Sequence, residues 1–422
     1  MSFSDLLMNI SECSRAISEQ GIQSGDVVAL EADFSPNGIA LFLSLVEKAC
    51  LLVVHTNAHH IGREKKDEIA QVEWNVVCDK EDNYKFEKTR RKAQHDIYTH
   101  LKDLKHPGLV LFSSGTSGEP KAAVHDFLPL LEKFKVPKKA MVSLNFLLFD
   151  HWGGLNTMLH TLSNGAALVS LQDRSPESVC ELIQSAKVQL LPSTPTFLNL
   201  MLLSEAHKKY DLSSLQVISY GAEPMPEKTL SRLKEAFPHI KLQQTYGLIE
   251  VGVLRSKSKE NGSLWVKIGG EGYETRVVDN ILQIKTKSTI LGYLNALSPI
   301  TEDGWFITGD EVYQEGEYFR ILGRKSEMIN IGGEKLHPSE VESVILQLNN
   351  VVDVTVFSEK NPILGRLLCA NVKLQEPEDP REFSDRLKEF CADRLDRFKI
   401  PVKIKLIDGE LHGDRFKKIR SF

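Results

Sequence analysis

The sequence predicts an α/β protein with more than one domain, on three observations. The chain has 422 residues, which is more than a single hydrophobic core usually serves. Strand and helix patterns alternate through its first half, as in sheets whose parallel strands are joined by helices. Strand patterns then follow one another over residues 262–322, and the last hundred residues mix both kinds. We therefore expect a large N-terminal α/β domain with a β subdomain, and a small C-terminal α+β domain.

The first sixty residues carry the clearest alternation. Apolar residues recur at helical spacing in 6–20 and 37–49, whereas 27–30 and 50–54 are short apolar runs typical of buried strands. This order predicts a parallel sheet with right-handed crossovers.

Later segments continue the pattern. Helical spacing is predicted over residues 128–134, 176–185, 195–203 and 225–237, and strands over 143–149, 188–191, 215–219 and 240–244. The β subdomain would contain strands at 263–268, 274–278, 281–285 and 318–322. The C-terminal unit would contain helices at 337–348 and 380–395 and strands at 351–358, 367–374 and 402–407.

The composition is that of an ordinary globular protein. Hydrophobic residues make up 41% and charged residues 26%, which excludes a disordered or fibrous chain. A net charge of −5 provides no overall attraction to nucleic acid or an anionic membrane. The six cysteines are scattered, the start of the chain is polar and acidic, and no apolar run reaches membrane-spanning length. We therefore expect a cytoplasmic protein.

The stretch LFSSGTSGEPK, from Leu111 to Lys121, has the composition of a phosphate-binding loop. Gly115 and Gly118 permit successive backbone N–H groups to face one concavity. Lys121 adds a positive charge, and hydroxyl donors come from Ser113, Ser114, Thr116 and Ser117. The spacing fits neither a Walker A loop nor Gly-x-Gly-x-x-Gly, which disfavours a conventional P-loop NTPase or a Rossmann site. Taken alone, the loop is as compatible with a flexible linker.

Further motifs follow this loop in order. They are DHWGG at 150–154, YGAEP at 220–224, QTYGLIEVG at 244–252, GWFITGD at 304–310, GRKSEMINIGGEKL at 323–336 and RFKKIR at 415–420. Together with GDVVAL at 25–30 and the loop, they resemble the motifs of the adenylate-forming superfamily. This superfamily groups acyl- and aryl-CoA synthetases, peptide-synthetase adenylation domains and beetle luciferase. The chain most resembles a short stand-alone acyl- or aryl-CoA ligase.

The resemblance implies roles for individual residues. The loop and Lys121 would hold the β- and γ-phosphates of ATP, Glu250 would bind Mg²⁺, and Lys418 would bridge the substrate carboxylate and the α-phosphate. Other nucleotide-binding residues would be Gly221, Ala222, Glu223, Tyr246, which stacks on the adenine, Gly247, Asp310, which binds the ribose, and Arg324. Substrate-binding residues would be Asp150, His151, Trp152, Gly153, Tyr220, Gly332 and Gly333.

The resemblance also implies two domains and a two-step reaction. Residues 1–324 would form the adenylation domain, and residues 325–422 a lid that carries Lys418 and rotates about Ser326. A small acyl or aryl carboxylic acid would attack the α-phosphorus of ATP and release pyrophosphate. A thiol, from CoA or from the phosphopantetheine of an acyl carrier protein, would then displace AMP and give a thioester. Nucleic acid and membranes are not expected partners.

Three departures from the family pattern keep alternatives open. Ile249 replaces a threonine and so removes a hydroxyl donor. Ser326 replaces the usual Asp or Lys of the hinge, and the charged stretch 61–105 is short enough to imply a lost helix or strand. The chain could therefore stop at the acyl adenylate, or be a catalytically weakened protein that binds acyl groups or nucleotides. His151 and Trp152 are also compatible with core packing.

Overall fold

The computed structural model describes residues 1–57, 62–114, 119–270, 272–361, 365–413 and 416–419, with the backbone alone at positions 114 and 365. The α-helices in these ranges are α1 (Phe3–Glu19), α2 (Pro36–Glu47), α3 (Arg63–Ile69), α4 (Asp96–Leu104), α5 (Phe127–Leu131), α6 (Trp152–Ser163), α7 (Pro176–Ala186), α8 (Pro195–Leu203), α9 (Ala206–Lys209), α10 (Glu227–Ala236), α11 (Pro338–Ile345) and α12 (Pro380–Ala392). None of them is both long enough and apolar enough to cross a membrane.

The strands within the same ranges belong to several sheets. They are β1 (Val27–Ala32), β2 (Leu51–Thr56), β3 (Trp74–Cys78), β4 (Tyr84–Lys88), β5 (Gly108–Ser114), β6 (Pro120–Asp126), β7 (Ser143–Leu144), β8 (Leu168–Val169), β9 (Leu190–Ser193), β10 (Val217–Tyr220), β11 (Lys241–Gln244), β12 (Gly247–Leu248), β13 (Gly252–Val253), β14 (Ser256–Ser258), β15 (Trp265–Ile268), β16 (Tyr273–Val278), β17 (Ile281–Thr286), β18 (Gly292–Tyr293), β19 (Phe306–Glu315), β20 (Tyr318–Arg324), β21 (Ile329–Ile331), β22 (Glu334–Leu336), β23 (Val351–Asn361), β24 (Gly365–Leu374) and β25 (Lys403–Leu406).

The first sheet holds the strands that flank the predicted phosphate loop. Its order is β18-β6-β5-β2-β1-β3-β4, and β1, β2, β3 and β5 run parallel where they pair, as predicted. Strands β1 and β2 are buried along their whole length, which explains their continuous apolar sequences. Strands β5 and β6 pair antiparallel on either side of the loop.

The charged stretch 61–105 contains regular structure, namely α3, β3, β4 and α4. Strand β4 (YKFEK) lies at the edge of the first sheet and is largely exposed. Its lysines and glutamate suit an edge strand, because such side chains discourage pairing with another chain. The weak hydrophobic pattern of this stretch therefore reflects its position at the edge.

The second sheet has the order β11-β10-β9-β7-β8, and its paired strands are parallel. Its carboxyl ends lie in register, since Tyr220 at the end of β10 pairs with Ser193 of β9 and with Gln244 of β11. At the strand-to-helix corners, Thr194 Oγ1 accepts a hydrogen bond from the N–H of Phe197 at the start of α8. These corners position the segments predicted to bind the acid.

The β subdomain and the C-terminal unit are both present as predicted. The third sheet has the order β14-β15-β20-β19-β17-β16 and is antiparallel. After it, α11, α12 and the sheet β23-β24-β25 enclose a separate hydrophobic core. This unit contacts the larger one where Asn199 Nδ2 donates to the carbonyl of Val352 (3.0 Å) and Lys228 Nζ to that of Leu346 (2.6 Å). The boundary after Arg324 stays a prediction.

Candidate active site

Buried polar groups collect at the carboxyl ends of the second sheet. The side-chain atoms Ser193 Oγ, Tyr220 Oη and Gln244 Oε1 are buried, and none has a hydrogen-bond partner within the described part of the chain. Buried polar atoms usually have partners, and ligands of open α/β sheets bind at the carboxyl ends of strands. This edge of the sheet is therefore the best candidate for a ligand site.

The turn after β10 requires an unusual backbone. A Cβ on Gly221 would lie 2.6 Å from the carbonyl oxygen of Thr245, so that no larger residue fits without a shift. The next residue, Ala222, has a φ of +71°, which is uncommon for a residue other than glycine. The carboxylate of Glu223 accepts a hydrogen bond of 2.7 Å from the N–H of Thr196, which ties this turn to the start of α8. Burial raises the pKa of Glu223.

Tyr246, Asp310 and Arg324 come together although they are far apart in the sequence. The hydroxyl of Tyr246 donates to Asp310 Oδ2 at 2.5 Å, and Arg324 Nε lies 3.4 Å from Asp310 Oδ1. Burial and the adjacent carboxylate raise the pKa of Tyr246 well above its ordinary value, so the hydroxyl stays protonated. Burial also raises the pKa of Asp310, whereas Arg324 opposes this shift. The contact joins the segment after β11 to the β19–β20 hairpin.

Glu250 and Lys121 meet at a tyrosine that the sequence did not single out. The hydroxyl of Tyr293 donates to Glu250 Oε1 at 2.7 Å, and Lys121 Nζ lies 5.7 Å from the centre of the Tyr293 ring. Ser113 is paired with Lys121 across β5 and β6. The loop residues 115–118 lie outside the described residues, so the structure places only the two ends of the predicted loop.

The exit of the loop is fixed by a second residue that the motifs do not contain. Asn295 Oδ1 accepts from the N–H of Ala122 (3.1 Å), and Asn295 Nδ2 donates to the carbonyl of Pro120 (2.8 Å). A single amide side chain therefore holds the backbone on both sides of Lys121. Neither residue has a sequence signal. The contacts of Asn295 are with residues more than a hundred positions earlier in the chain, and Tyr293 lies in a strand of only two residues, β18.

Ile249 fills space where the family pattern has a threonine. Its side chain packs against two hydrophobic clusters, and its carbonyl oxygen accepts a hydrogen bond of 2.7 Å from His125 Nε2. A carbonyl can only accept, so Nε2 carries the proton. Burial lowers the pKa of His125, which keeps the ring neutral. This bond fixes the backbone that immediately precedes Glu250.

In the segment 150–154, the side chain of His151 lines a small cavity and that of Trp152 lies in the hydrophobic core. His151 lines the cavity and its Nδ1 accepts from the N–H of Gly153 (3.0 Å), which starts α6. Trp152 is 2% exposed and lies in the first core, with its ring centre 6.0 Å from that of His125. It therefore packs in the core, and the structure gives it no part in lining the cavity. Asp150 is buried and lies close enough to Asp33 to affect its pKa, which burial raises.

The catalytic candidate Lys418 is held by the C-terminal domain. Its Nζ donates to the carbonyl of Val354 (2.7 Å) and lies 3.2 Å from Asp353 Oδ1 and 3.7 Å from Glu342 Oε2. The side chain is only 9% exposed. It also faces Glu223 across an interdomain cavity of about 560 Å³. In this arrangement Lys418 is paired with carboxylates of its own domain.

The predicted hinge and glycine loop are both exposed. Ser326 lies in a short 3₁₀ turn, Lys325–Glu327, directly after the last strand of the third sheet. Gly332 and Gly333 form the tip of the β21–β22 hairpin with φ values of +63° and +98°. Glycine is suited to both positions because it has no Cβ to oppose a positive φ.

No group of three or more His, Cys, Asp or Glu side chains in the described ranges is arranged to hold a metal ion. A single carboxylate such as Glu250 is nonetheless a suitable ligand for Mg²⁺, which is usually held by one or two carboxylates together with substrate phosphates. The hydroxyl of Tyr293 orients this carboxylate through Oε1.

Comparisons with known proteins agree with this arrangement. Residues 27–280 match the profile of the AMP-binding enzymes, and residues 340–417 match that of the AMP-binding enzyme C-terminal domain. A 2-succinylbenzoate–CoA ligase of Geobacillus sp. (strain WCH70) is 24% identical over 453 residues, which cover 96% of this chain and 88% of the relative. The 4-coumarate–CoA ligase 1 of Narcissus pseudonarcissus is 29% identical over 72% of this chain and 62% of its own length.

A solved structure has the same fold. The anthranilate CoA ligase AuaEII, crystallised with anthranoyl-AMP, superposes with a TM-score of 0.80 at 18% identity and covers 97% of this chain and 89% of its own. It shares the mixed α/β architecture with a large N-terminal and a smaller C-terminal domain. The resemblance drawn from the motifs is thereby confirmed. The chain belongs to the family of AMP-binding enzymes.

Proposed function

We propose that this chain activates a small acyl or aryl carboxylic acid with ATP and transfers the acyl group to the thiol of CoA. One observation carries the proposal: Tyr246, Asp310 and Arg324 contact one another beside the turn at Gly221. A nucleoside bound there would find an aromatic ring for its base and a carboxylate that accepts hydrogen bonds from its ribose. The CoA ligases among the relatives support CoA as the acceptor of the acyl group, since the similarity to one of them extends over 96% of the chain.

The first step forms the acyl adenylate. Lys121 and the hydroxyl residues of the loop hold the β- and γ-phosphates, and Asp310 accepts hydrogen bonds from the ribose hydroxyls. Glu250 would hold Mg²⁺, which would neutralise phosphate charge when bound. The acid carboxylate attacks the α-phosphorus, the bond to the β-phosphate oxygen breaks and pyrophosphate leaves. The protein contributes chiefly by positioning the reactants and compensating their charge.

Lys418 has to leave Asp353 before it can contribute to this step. Its ammonium would then lie between the acid carboxylate and the α-phosphate, where negative charge builds up. The exposed turn at Ser326 is placed to permit this movement, because a hinge needs only residues that tolerate changed backbone angles. In the second step the C-terminal domain rotates, Gly332 and Gly333 approach the thiol, and the thiolate displaces AMP to form the thioester.

The test is pyrophosphate release across a panel of aryl, fatty, short-chain and amino acids, with Lys418→Ala as control. A signal with one class of acid that requires Lys418 supports adenylation and names the substrate class. Thioester formation is then assayed with CoA and with a phosphopantetheinylated carrier protein. Silence across the panel while ATP still binds would refute the proposal in favour of a binding protein. Adenylate that accumulates with either thiol would instead support a chain that stops at the first step.

A further inference from the structure

A phenylalanine of the C-terminal tail lies among the residues of the predicted acid pocket. Phe416 precedes Lys418 by two residues. The centre of its ring lies 5.3 Å from that of Phe146 and 5.4 Å from that of Phe197. These two rings are themselves 4.3 Å apart and almost fully buried in the second core. Phe416 thus completes a cluster of three aromatic rings, a favourable arrangement at these distances.

The backbone next to this ring is anchored to the pocket. The hydroxyl of Thr194 donates to the carbonyl of Phe416 at 3.1 Å and accepts from the N–H of Phe197 at 3.2 Å. The tail is further ordered because the N–H of Phe416 donates to the carbonyl of Gly413 (2.8 Å), and the ring of His412 stacks on Phe416 at 5.0 Å. One threonine therefore holds both the start of α8 and the tail.

Little space remains beside the ring. The cavity bounded by Phe416, His151, Arg174 and Ala222 has a volume of about 10 Å³. Such a volume holds at most about one water molecule. A carboxylic acid with any hydrophobic group cannot share the pocket with the ring in this position.

We propose that the ring of Phe416 occupies the place of the acid's own hydrophobic group and that the acid displaces it on binding. The space that the ring vacates then suits acids carrying a group of the size and shape of a phenyl ring. The inference rests on the proposed function and adds to it a substrate class, the monocyclic aryl acids. The lining of Phe146 and Phe197, which already accommodates one aromatic ring, supports this class. The displacement that we propose is of the tail backbone together with the ring, which breaks the bond from Thr194 to the carbonyl of Phe416. Only two peptide units separate Phe416 from the carbon that carries the Lys418 side chain, so this displacement also moves the backbone of Lys418.

The kinetic test compares Phe416→Ala with Ile419→Ala, a matched change at an exposed position of the same tail. For the best aryl acid of the panel, Phe416→Ala should lower the KM about tenfold or more, because the competing burial of a phenylalanine side chain is removed. The KM for ATP should stay within twofold, and Ile419→Ala should change neither constant. An unchanged or raised KM for the acid would overturn the proposal, since the ring would then be a wall of the pocket or a purely structural residue.

A second measurement follows the tail directly in the wild-type chain. Benzoate, or the best aryl acid of the panel, is added without ATP while amide hydrogen exchange is recorded. Exchange should rise at the amides of Gly413 and Ile419, because displacement opens the bonds from the N–H of Ile419 to Leu411 and from that of Gly413 to Lys417. Unchanged or slower exchange at saturating acid would overturn the proposal. Phe416→Leu serves as a second variant if the alanine variant does not fold.

The two proposals fail in distinguishable ways. If no acid supports pyrophosphate release, the proposed function fails and this inference fails with it. If an acid supports pyrophosphate release but Phe416→Ala leaves its KM unchanged and tail exchange is unaffected, only the inference about Phe416 is refuted.

Discussion

Replacing Lys418 with alanine has two consequences that follow from its contacts. Its ammonium lies 3.2 Å from Asp353 and 3.7 Å from Glu342, whose side chains are only 7% and 4% exposed. Removing the cation leaves two buried carboxylates without their shared partner. Loss of one member of a buried ion pair costs about 3–5 kcal/mol. We expect Lys418→Ala to lower the free energy of unfolding of the C-terminal domain by an amount of this order.

Urea denaturation followed by circular dichroism measures this change, with Lys417→Ala, an exposed neighbour, as control. The double variant Asp353→Asn, Lys418→Ala should recover part of the loss, because one uncompensated charge is removed. Pyrophosphate release should fall by about 10²–10³ in both variants, since loss of a donor to the transition state is not repaired by Asp353→Asn. A change in stability below about 0.5 kcal/mol would refute the ion pair. Unaltered pyrophosphate release would refute the catalytic role.

Three other predictions concern the site and its supports. Tyr246→Phe removes the 2.5 Å hydrogen bond to Asp310 and should destabilise the protein by about 1.5–3 kcal/mol in thermal denaturation; an unchanged melting temperature would contradict that bond. Burial lowers the pKa of Lys133, whose Nζ donates to the carbonyl of Val253 (2.9 Å), to about 7. The unfolded chain therefore binds more protons between pH 7 and 10.5, and stability should rise with pH in that window by up to about 1.4 kcal/mol per pH unit; a Lys133→Met variant with the same pH profile would contradict this. Gly221→Ala should raise the Kd for ATP, measured by calorimetry, because the added Cβ collides with the carbonyl of Thr245 and shifts the turn. Gly409→Ala, where a Cβ meets nothing within 4 Å, is the control and should leave the Kd unchanged. Equal affinities of the two variants would show that the turn does not approach the nucleotide.

The parallel strands of the first sheet could be predicted from the sequence because continuous apolar runs are typical of buried parallel strands. Strands β1 and β2 are such runs, and the bounds of both lie within two residues of the predicted ones. The site residues in motifs were also predictable one by one. Tyr246 and Asp310 are 64 residues apart and meet through one hydrogen bond, which only the tertiary structure shows.

The residues that support the site had no comparable signal. Tyr293 and Asn295 lie in a segment without a motif, and Asp353 is one carboxylate among many until the fold brings Lys418 to it. Trp152 was ambiguous because an aromatic residue beside glycines suits a pocket or a core. Its spacing from the buried residues Leu155 and Leu159, three and seven positions later, places it on the core-facing side of α6 and could have decided the matter.

The short strand β18 has a consequence for how the chain is made. Strand β6, which leaves the phosphate loop, gains its outer neighbour only when residues 291–294 bond to Ala122 and Val124. On the ribosome, at about 5–20 residues per second, roughly 170 residues have to be added after β6, a delay of about 10–30 s. Throughout that interval β6, whose centre at 122–125 is buried in the folded chain, is an unpaired sheet edge, the kind of surface that pairs with other chains. The nascent protein therefore carries an edge prone to aggregation next to the predicted phosphate loop.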